Sequence, residues 1–187
     1  MGVASYAIEY DAELMLRVKD GDPASFGVLL SKYRGPVIHY LHRMVQNRDV
    51  AEELAQEVFL RVYKARATYE PAAKFTTWLF RIATHLALNA LRDGKPERGG
   101  QSLDGGVEHA DGRPSAEQQL IRESRLDMVR RAVAALPEKQ RAAVLMHKYQ
   151  EMEYSQIAKV LGCSESAVKS LLFRAYETLR ARLAHLA

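Results

Sequence analysis

The chain has 187 residues, 48% of them hydrophobic and 27% charged, with a formal net charge of +4. That is enough apolar material for one ordinary core or two small ones, each under about 100 residues, and two small helical domains fit the pattern better. No apolar run reaches the roughly 18 residues of a membrane span, the acidic start MGVASYAIEYDAEL lacks the basic-then-apolar order of a secretion signal, and the lone Cys163 excludes an internal disulfide and a cysteine-rich zinc site.

These features predict a cytoplasmic protein with no direct membrane insertion. Periodicity is helical on both sides of one polar stretch, and no alternating segment is long enough to argue a strand, so the fold class is all-α.

In chain order, Asp11 is placed to cap a short helix ending at Lys19, and Pro23 sits at the first position of a second helix carrying Phe26, Leu29, Leu30 and Tyr33. Gly35-Pro36 is expected to kink or break that helix before Val37 to Val45. A third helix, from about Asp49 to Lys64, turns Val50, Leu54, Val58 and Val62 inward with Ala51, Ala55 and Phe59 in support. It leaves Asp49, Glu52, Glu53, Gln56 and Glu57 outside. After the loop ARATYEPAAK comes a fourth helix, from about Thr76 to Arg92. Leu79, Ile82, Ala83, Leu86 and Ala90 point inward, and Thr77, Arg81, His85 and Arg92 form a polar, partly basic stripe.

These two surfaces differ in character. The acidic and amide face of the third helix is unsuited to phosphates; it suits a basic protein partner, or is simply a solvated face. The loop and fourth helix combine Arg66, Tyr69, Lys74, Phe75, Thr76, Trp78 and Arg81, a mixture of cations and aromatics of the kind found in single-stranded nucleic-acid sites. Phe75 and Trp78 suit a core equally well.

The stretch DGKPERGGQSLDGGVEHADGRPS holds six of the chain's eleven glycines and almost no large apolar residue. It reads as a flexible linker, residues 94–118, between domains at 1–93 and 119–187. Net charge is +2 over residues 1–95, −3 over 96–120 and +5 over 121–187. The positive charge therefore sits in the two flanking blocks, where it favours a polyanionic partner through phosphate neutralisation.

Beyond the linker, Leu136-Pro137-Glu138 opens a helix, since proline fits a first turn and glutamate favours the positive helix end. The run SQIAKVLGCSESAVKSLLFRAYETLRARL then reads as a helix, a tight turn at Gly162 and a second helix with Ser164 as N-cap and Glu165 just inside it. Ile157, Ala158 and Leu161 line the first helix, and Val168, Leu171, Leu172, Ala175 and Leu179 form the buried stripe of the second. Ser166, Lys169, Ser170, Phe173 and Arg174 face out. A helix-turn-helix places such a second helix in the major groove, short polar residues at base edges and cations at phosphates. An ordinary helical hairpin with a solvated basic face is the other reading of this segment.

Nothing resembles a catalytic constellation. The six histidines are scattered without metal-ligand spacing, and no glycine-rich phosphate loop is present. No enzyme, metal, cofactor or small-molecule substrate is expected.

The order DVAEELAQEVFLRVYKA, FTTWLFRIATHLALNALR, a loose linker, then ALPEKQRAAVLMHKY and the helix-turn-helix resembles a bacterial RNA polymerase sigma factor of the extracytoplasmic-function type of the sigma-70 family. The resemblance implies that the first domain is sigma region 2 and the last is region 4. Asp49, Glu53, Gln56 and Glu57 would then dock on core RNA polymerase, with Leu54 and Phe59 in the core. Lys74, Thr76, Thr77, Arg81, His85 and Asn89 would read the melted non-template strand of the minus-ten element, Arg66 and Arg92 would follow its backbone, and Trp78 would anchor the helix start. Ser164, Ser166, Lys169, Ser170 and Arg174 would read duplex promoter DNA at the minus-thirty-five element. An anti-sigma factor clamping both domains is a further partner implied by the family.

Two positions depart from the family pattern. Leu171 stands where a basic residue is frequent, and Glu153 replaces a small hydroxyl cap, which is expected to weaken the start of the supporting helix. The competing reading is a stand-alone helix-turn-helix regulator, which would bind duplex promoter DNA without polymerase.

Overall fold

The computed structural model describes residues 9–94 and 115–186, and most of the expected linker at 94–118 lies outside the described residues. Eight α-helices, and no strand among the described residues, account for the architecture: α1 Tyr10–Lys19, α2 Pro23–Val45, α3 Arg48–Lys64, α4 Phe75–Arg92, α5 Ala116–Ala134, α6 Glu138–Tyr149, α7 Tyr154–Leu161 and α8 Glu165–Leu183. Short 3-10 turns follow α3 and α8, at Ala65–Thr68 and Ala184–Leu186.

Local chemistry sets most of the helix starts. Asp22 caps α2, accepting from the Ala24 N–H at 3.0 Å and the Ser25 hydroxyl at 2.7 Å, and these bonds, Ser25 foremost, hold its carboxyl below the usual range. Asn47 accepts from the Val50 N–H at 3.1 Å to open α3. Ser115 and Gln118 close a reciprocal capping box that starts α5 at Ala116, inside the stretch read as linker.

Two expectations are corrected here. Asp11 does not cap α1. It lies buried in the first turn, where it accepts from the Tyr33 hydroxyl and, at 2.6 Å, from the Lys32 ammonium, tying α1 to α2. Burial and the Asp11 carboxylate together raise the Tyr33 phenol well above its ordinary value. Nor does Gly35-Pro36 break the second helix, which runs unbroken from Pro23 to Val45 with Pro36 inside it. An interior proline costs about 3 kcal/mol, but Gly35 and Pro36 face solvent while Tyr33, Val37, Tyr40, Leu41 and Met44 are buried on the opposite face. Each large apolar side chain contributes roughly 1.5–3 kcal/mol on burial, so continuity of that face outweighs the lost hydrogen bond.

α2 is the central helix of the first half, packing on α1, α3 and α4. In the second half α6, α7 and α8 pack together, with α5 against α8. The halves are in contact, α7 lying on α4 and α6 on α2, and one continuous apolar cluster runs through both. Arg141 of α6 is buried in this contact. Its guanidinium donates to the Met44 carbonyl in the last turn of α2 and, at 3.1 Å, to the Leu136 carbonyl. A cation thus satisfies a carbonyl at the negative end of a helix that lies far away in sequence.

Replacing Arg141 with Met should cost about 2–3 kcal/mol, because buried carbonyls lose charged donors. Urea denaturation checks this, and Arg141→Lys, with one ammonium in place of the fork, should fall between Met and wild type.

Candidate nucleic-acid interface

Three surfaces carry the residues singled out in the sequence. On α3, Asp49, Glu53 and Gln56 are exposed and Glu57 is half-buried, while Leu54 and Phe59 are in the core. Arg61 donates to Glu57 at 2.7 Å, and that bond holds the Glu57 carboxyl below the usual range. Arg48 engages Glu52 at 3.1 Å. Asp49, Glu53 and Gln56 are left as the outward polar groups of this face. Sequence reasoning missed Leu60, which is 46% exposed on the same helical stripe as Glu53, Gln56 and Glu57. The signal was available: Val58, Phe59 and Val62 already complete the inner face, so an apolar residue at 60 has to point outward. An exposed leucine next to acidic and amide side chains gives this helical stripe the mixed apolar and polar character of a protein-binding face.

The second surface is the loop and the first turns of α4. Tyr69 and Phe75 are buried, and Trp78 packs its ring on Tyr69 at 4.9 Å and on Phe75 at 6.0 Å, so the aromatic residues build the floor of the loop. Lys74 stands exposed above them and Thr76 is half-buried. Arg81, His85, Asn89 and Arg92 continue as an exposed stripe along α4. Arg66 is held locally: its guanidinium lies 4.1 Å from the Tyr63 ring centre and donates to the Tyr63 carbonyl at 2.8 Å.

Thr77 corrects the expected stripe. It is buried, not exposed, and its hydroxyl accepts from the Gln156 amide of α7 at 3.3 Å. The period of α4 does place Thr77 beside Arg81, but α7 packs across the first turns of α4 and covers it. Sequence periodicity reports one helix at a time and contains no trace of a helix arriving from 79 residues away.

The third surface is the helix-turn-helix. Gly162 adopts φ 63°, ψ 41°, the left-handed conformation that glycine reaches without a Cβ penalty, and Ser164 accepts from the Ala167 N–H at 3.1 Å to start α8. The Ser164 hydroxyl keeps its proton available to an outside acceptor. Val168, Leu172 and Ala175 form the buried stripe, with Leu171 and Leu179 half-buried at its margins. Ser166, Lys169, Ser170 and Arg174 are exposed on one face. Ser170 donates to the Ser166 carbonyl at 3.2 Å and is partly occupied within the helix. Phe173, 69% exposed, adds a large apolar side chain to this same face. The start of α7 is not bare despite the departure at Glu153, since the Gln156 side chain accepts from the Glu153 N–H at 2.9 Å.

Among the described residues no group of three or more His, Cys, Asp or Glu is arranged to hold a metal, and no helix is long and apolar enough to cross a membrane.

Comparison with known proteins identifies the family of both halves of the chain. Residues 29–97 match the family model for sigma-70 region 2, and residues 126–179 match that for sigma-70 region 4. The chain is 30% identical over 182 residues to the RNA polymerase sigma-H factor of Pseudomonas aeruginosa, covering 91% of this chain and 92% of the relative. It is 32% identical over 172 residues to the RNA polymerase sigma factor CarQ of Myxococcus xanthus, covering 92% and 97%. Among solved structures, CnrH in complex with the cytosolic domain of CnrY superposes with a TM-score of 0.69 at 22% identity, covering 96% of this chain and 100% of that one. The sigma factor RpoE in complex with the anti-sigma factor NepR from Bartonella quintana gives 0.64 at 20% identity, covering 85% and 96%.

Proposed function

This chain belongs to the sigma-70 family of RNA polymerase sigma factors, in its extracytoplasmic-function type, and from that premise we propose how its surfaces divide the work of starting transcription. It is an alternative sigma factor: it binds core RNA polymerase and directs it to the promoters of a specific regulon. Bond formation belongs to the polymerase, and this chain is not an enzyme. Residues 1–93 act as region 2, 94–118 as the tether and 119–187 as region 4, and the protein works in the cytoplasm.

Docking is assigned to the outer face of α3. Asp49, Glu53, Gln56 and Glu57 run along one stripe of α3 that continues to Leu60, and this face meets a basic surface of core polymerase. Duplex reading is assigned to α8, where Ser164, Ser166, Lys169, Ser170 and Arg174 enter the major groove and Phe173 is positioned for a thymine methyl.

The melted minus-ten strand is assigned to the loop and α4. Lys74, Thr76, Arg81, His85 and Asn89 meet bases and Arg66 and Arg92 the backbone. Extruding a base costs a few kcal/mol, which contacts in a protein pocket offset. Thr77 joins this group only when α7 moves off α4, because Gln156 now holds its hydroxyl. An anti-sigma factor is included as an inhibitory partner, as in the complex of RpoE with NepR. The observation that carries the reading is the presence of both sigma regions on one chain, with the charged faces of α3, α4 and α8 turned outward. A stand-alone helix-turn-helix regulator would leave the region 2 match without a purpose.

Run-off transcription with purified core enzyme and a genomic fragment library tests the whole reading. Defined transcripts that depend on this chain are expected, and their absence refutes it. Glu53→Lys with Gln56→Lys should abolish co-purification with core polymerase while helical circular dichroism stays unchanged; retained association rejects the α3 docking face. Arg174→Ala should weaken duplex promoter binding by about 1–3 kcal/mol if it reaches a base, with relaxed selectivity at that position. A phosphate contact would instead lower the salt slope by about one. Unchanged selectivity and salt slope remove Arg174 from the interface.

A further inference from the structure

The loop leading into α4 is gripped at one end by the last residue of α1 and at the other by the residue that precedes α1. At its beginning the Lys19 ammonium donates to the Tyr69 carbonyl at 3.0 Å, across 50 residues of sequence. At its end the Glu9 carboxylate accepts from the Phe75 N–H at 2.9 Å, across 66 residues. α4 has no local substitute for this second bond. Its N-cap residue, Lys74, makes no side-chain cap, and its first turn contains no acidic residue. Glu9 therefore satisfies a backbone donor that the helix itself leaves unpaired and sets negative charge at the positive helix end.

The grip is rigid because α1 is itself fixed. Asp11, two residues beyond Glu9, is committed to Tyr33 and Lys32 of α2. Underneath, Tyr69 and Phe75 are buried and Trp78 packs on both. The Tyr69 phenol is pushed up to about 12, by burial first and then by the charge of Glu9 and Asp11, as expected where both carboxylates face the base of the loop. Between the two anchors Glu70, Pro71, Ala72 and Lys74 are exposed, and the Ala72 N–H donates to the Glu70 carbonyl at 2.8 Å in a tight turn.

We propose that Glu9 and Lys19 are positioning residues for strand reading: by fixing both ends of the loop to the two ends of α1, they set where Lys74 and Thr76 stand, without touching DNA. This rests on the assignment of Lys74 and Thr76 to the unwound strand. Freeing Phe75 N–H frays the first turn of α4 and lets the loop sample more positions. Base-edge hydrogen bonds fail within a fraction of an ångström, whereas attraction to phosphate tolerates such movement. Discrimination between strands is therefore lost before general affinity.

The test uses holoenzyme reconstituted from core polymerase and full-length chain, wild type or carrying Glu9→Ala, Glu9→Gln or Lys19→Met. Each is titrated with a labelled single-stranded non-template oligonucleotide from a promoter recovered by run-off, and with the same strand carrying replaced minus-ten bases. In Glu9→Ala the ratio of the two affinities should fall about tenfold, the scale of one good base contact, while binding of the replaced strand stays within about twofold of wild type, since its phosphate contacts are kept. Glu9→Gln retains an acceptor oxygen and should recover most of the ratio, and Lys19→Met should lower it.

Equal loss on both strands, or no rescue by Gln, identifies a merely structural residue and overturns the proposal. If Glu9→Ala does not fold, an unchanged ratio in Lys19→Met overturns it. Wild-type transcription with undiminished discrimination in Glu9→Ala refutes the positioning role alone, whereas a wild-type holoenzyme that starts no RNA refutes the underlying functional reading and this role with it.

Discussion

The hydroxyls of Tyr40 and Thr84 meet at 2.7 Å in the fully buried seam between α2 and α4. Around them Phe75, Leu79, Phe80, Ala83, Leu86, Ala87 and Ala90 turn one side of α4 into the core, and the Phe80 ring stands edge-on to Tyr40 at 5.2 Å. A polar pair inside an apolar seam is satisfied in one rotation of the helix only; turning α4 by one residue, about 100°, would bury two hydroxyls without partners. Burial accordingly raises the Tyr40 phenol above its ordinary value and keeps it a neutral hydrogen-bonding group. With the rotation fixed, Arg81, His85, Asn89 and Arg92 have no direction left but outward. The basic stripe is thus a consequence of how α4 is seated, and so is the position of the loop that precedes it.

Most of the helices were legible because they rest on local chemistry; α5, Ala116–Ala134, was not, because its start lies in the polar stretch read as linker and its exposed Leu120, Ile121 and Leu126 give no buried stripe. The 3.6-residue spacing of Val50, Leu54, Val58 and Val62 and the Gly162-Cys163-Ser164 turn needed nothing from elsewhere in the chain, and all appear where the pattern put them. What was not legible came from distant partners. Asp11 has the chemistry of an N-cap, but Tyr33 and Lys32 of α2 outbid the backbone for its carboxylate. Pro36 has the chemistry of a helix breaker and is overridden by the buried face of α2 on either side of it. Thr77 has the spacing of a surface residue and is covered by α7. Leu60 differs from these, since its outward direction follows from the period of α3 alone.

Long-range caps recur in this chain. Arg141 of α6 supplies a donor to the carbonyl end of α2, and Glu9, the residue before α1, an acceptor to the amide end of α4. A terminus capped by its own sequence, as α8 is by Ser164, forms wherever that sequence goes. One capped from elsewhere is complete only when the two elements are docked, so its order reports on tertiary structure. The two helices differ in this respect: α8 carries its own cap, while α4 borrows one from Glu9, the residue before α1.

The contact of α7 with α4 places a second demand on the same surface. A buried hydroxyl without a partner costs about 1–3 kcal/mol, and the Gln156 amide removes that cost at Thr77. Exchanging Gln156 for a polar group on DNA replaces one neutral hydrogen bond with another, worth about 0.5–1.5 kcal/mol either way, so the exchange is nearly balanced. A valine at 77 would pack against α7 just as closely and would then have to be exposed to water on separation, with nothing gained from a base. The Arg43 guanidinium over Tyr149, 4.1 Å from the ring centre, is a contact of the same modest scale, about 0.5–1 kcal/mol where solvent reaches it. Arg141 differs, because its bond to the Met44 carbonyl comes from a buried charged donor, the stronger kind of hydrogen bond at about 1.5–3 kcal/mol. The polar contacts between the two halves are therefore unequal, that of α6 with α2 outweighing that of α7 with α4.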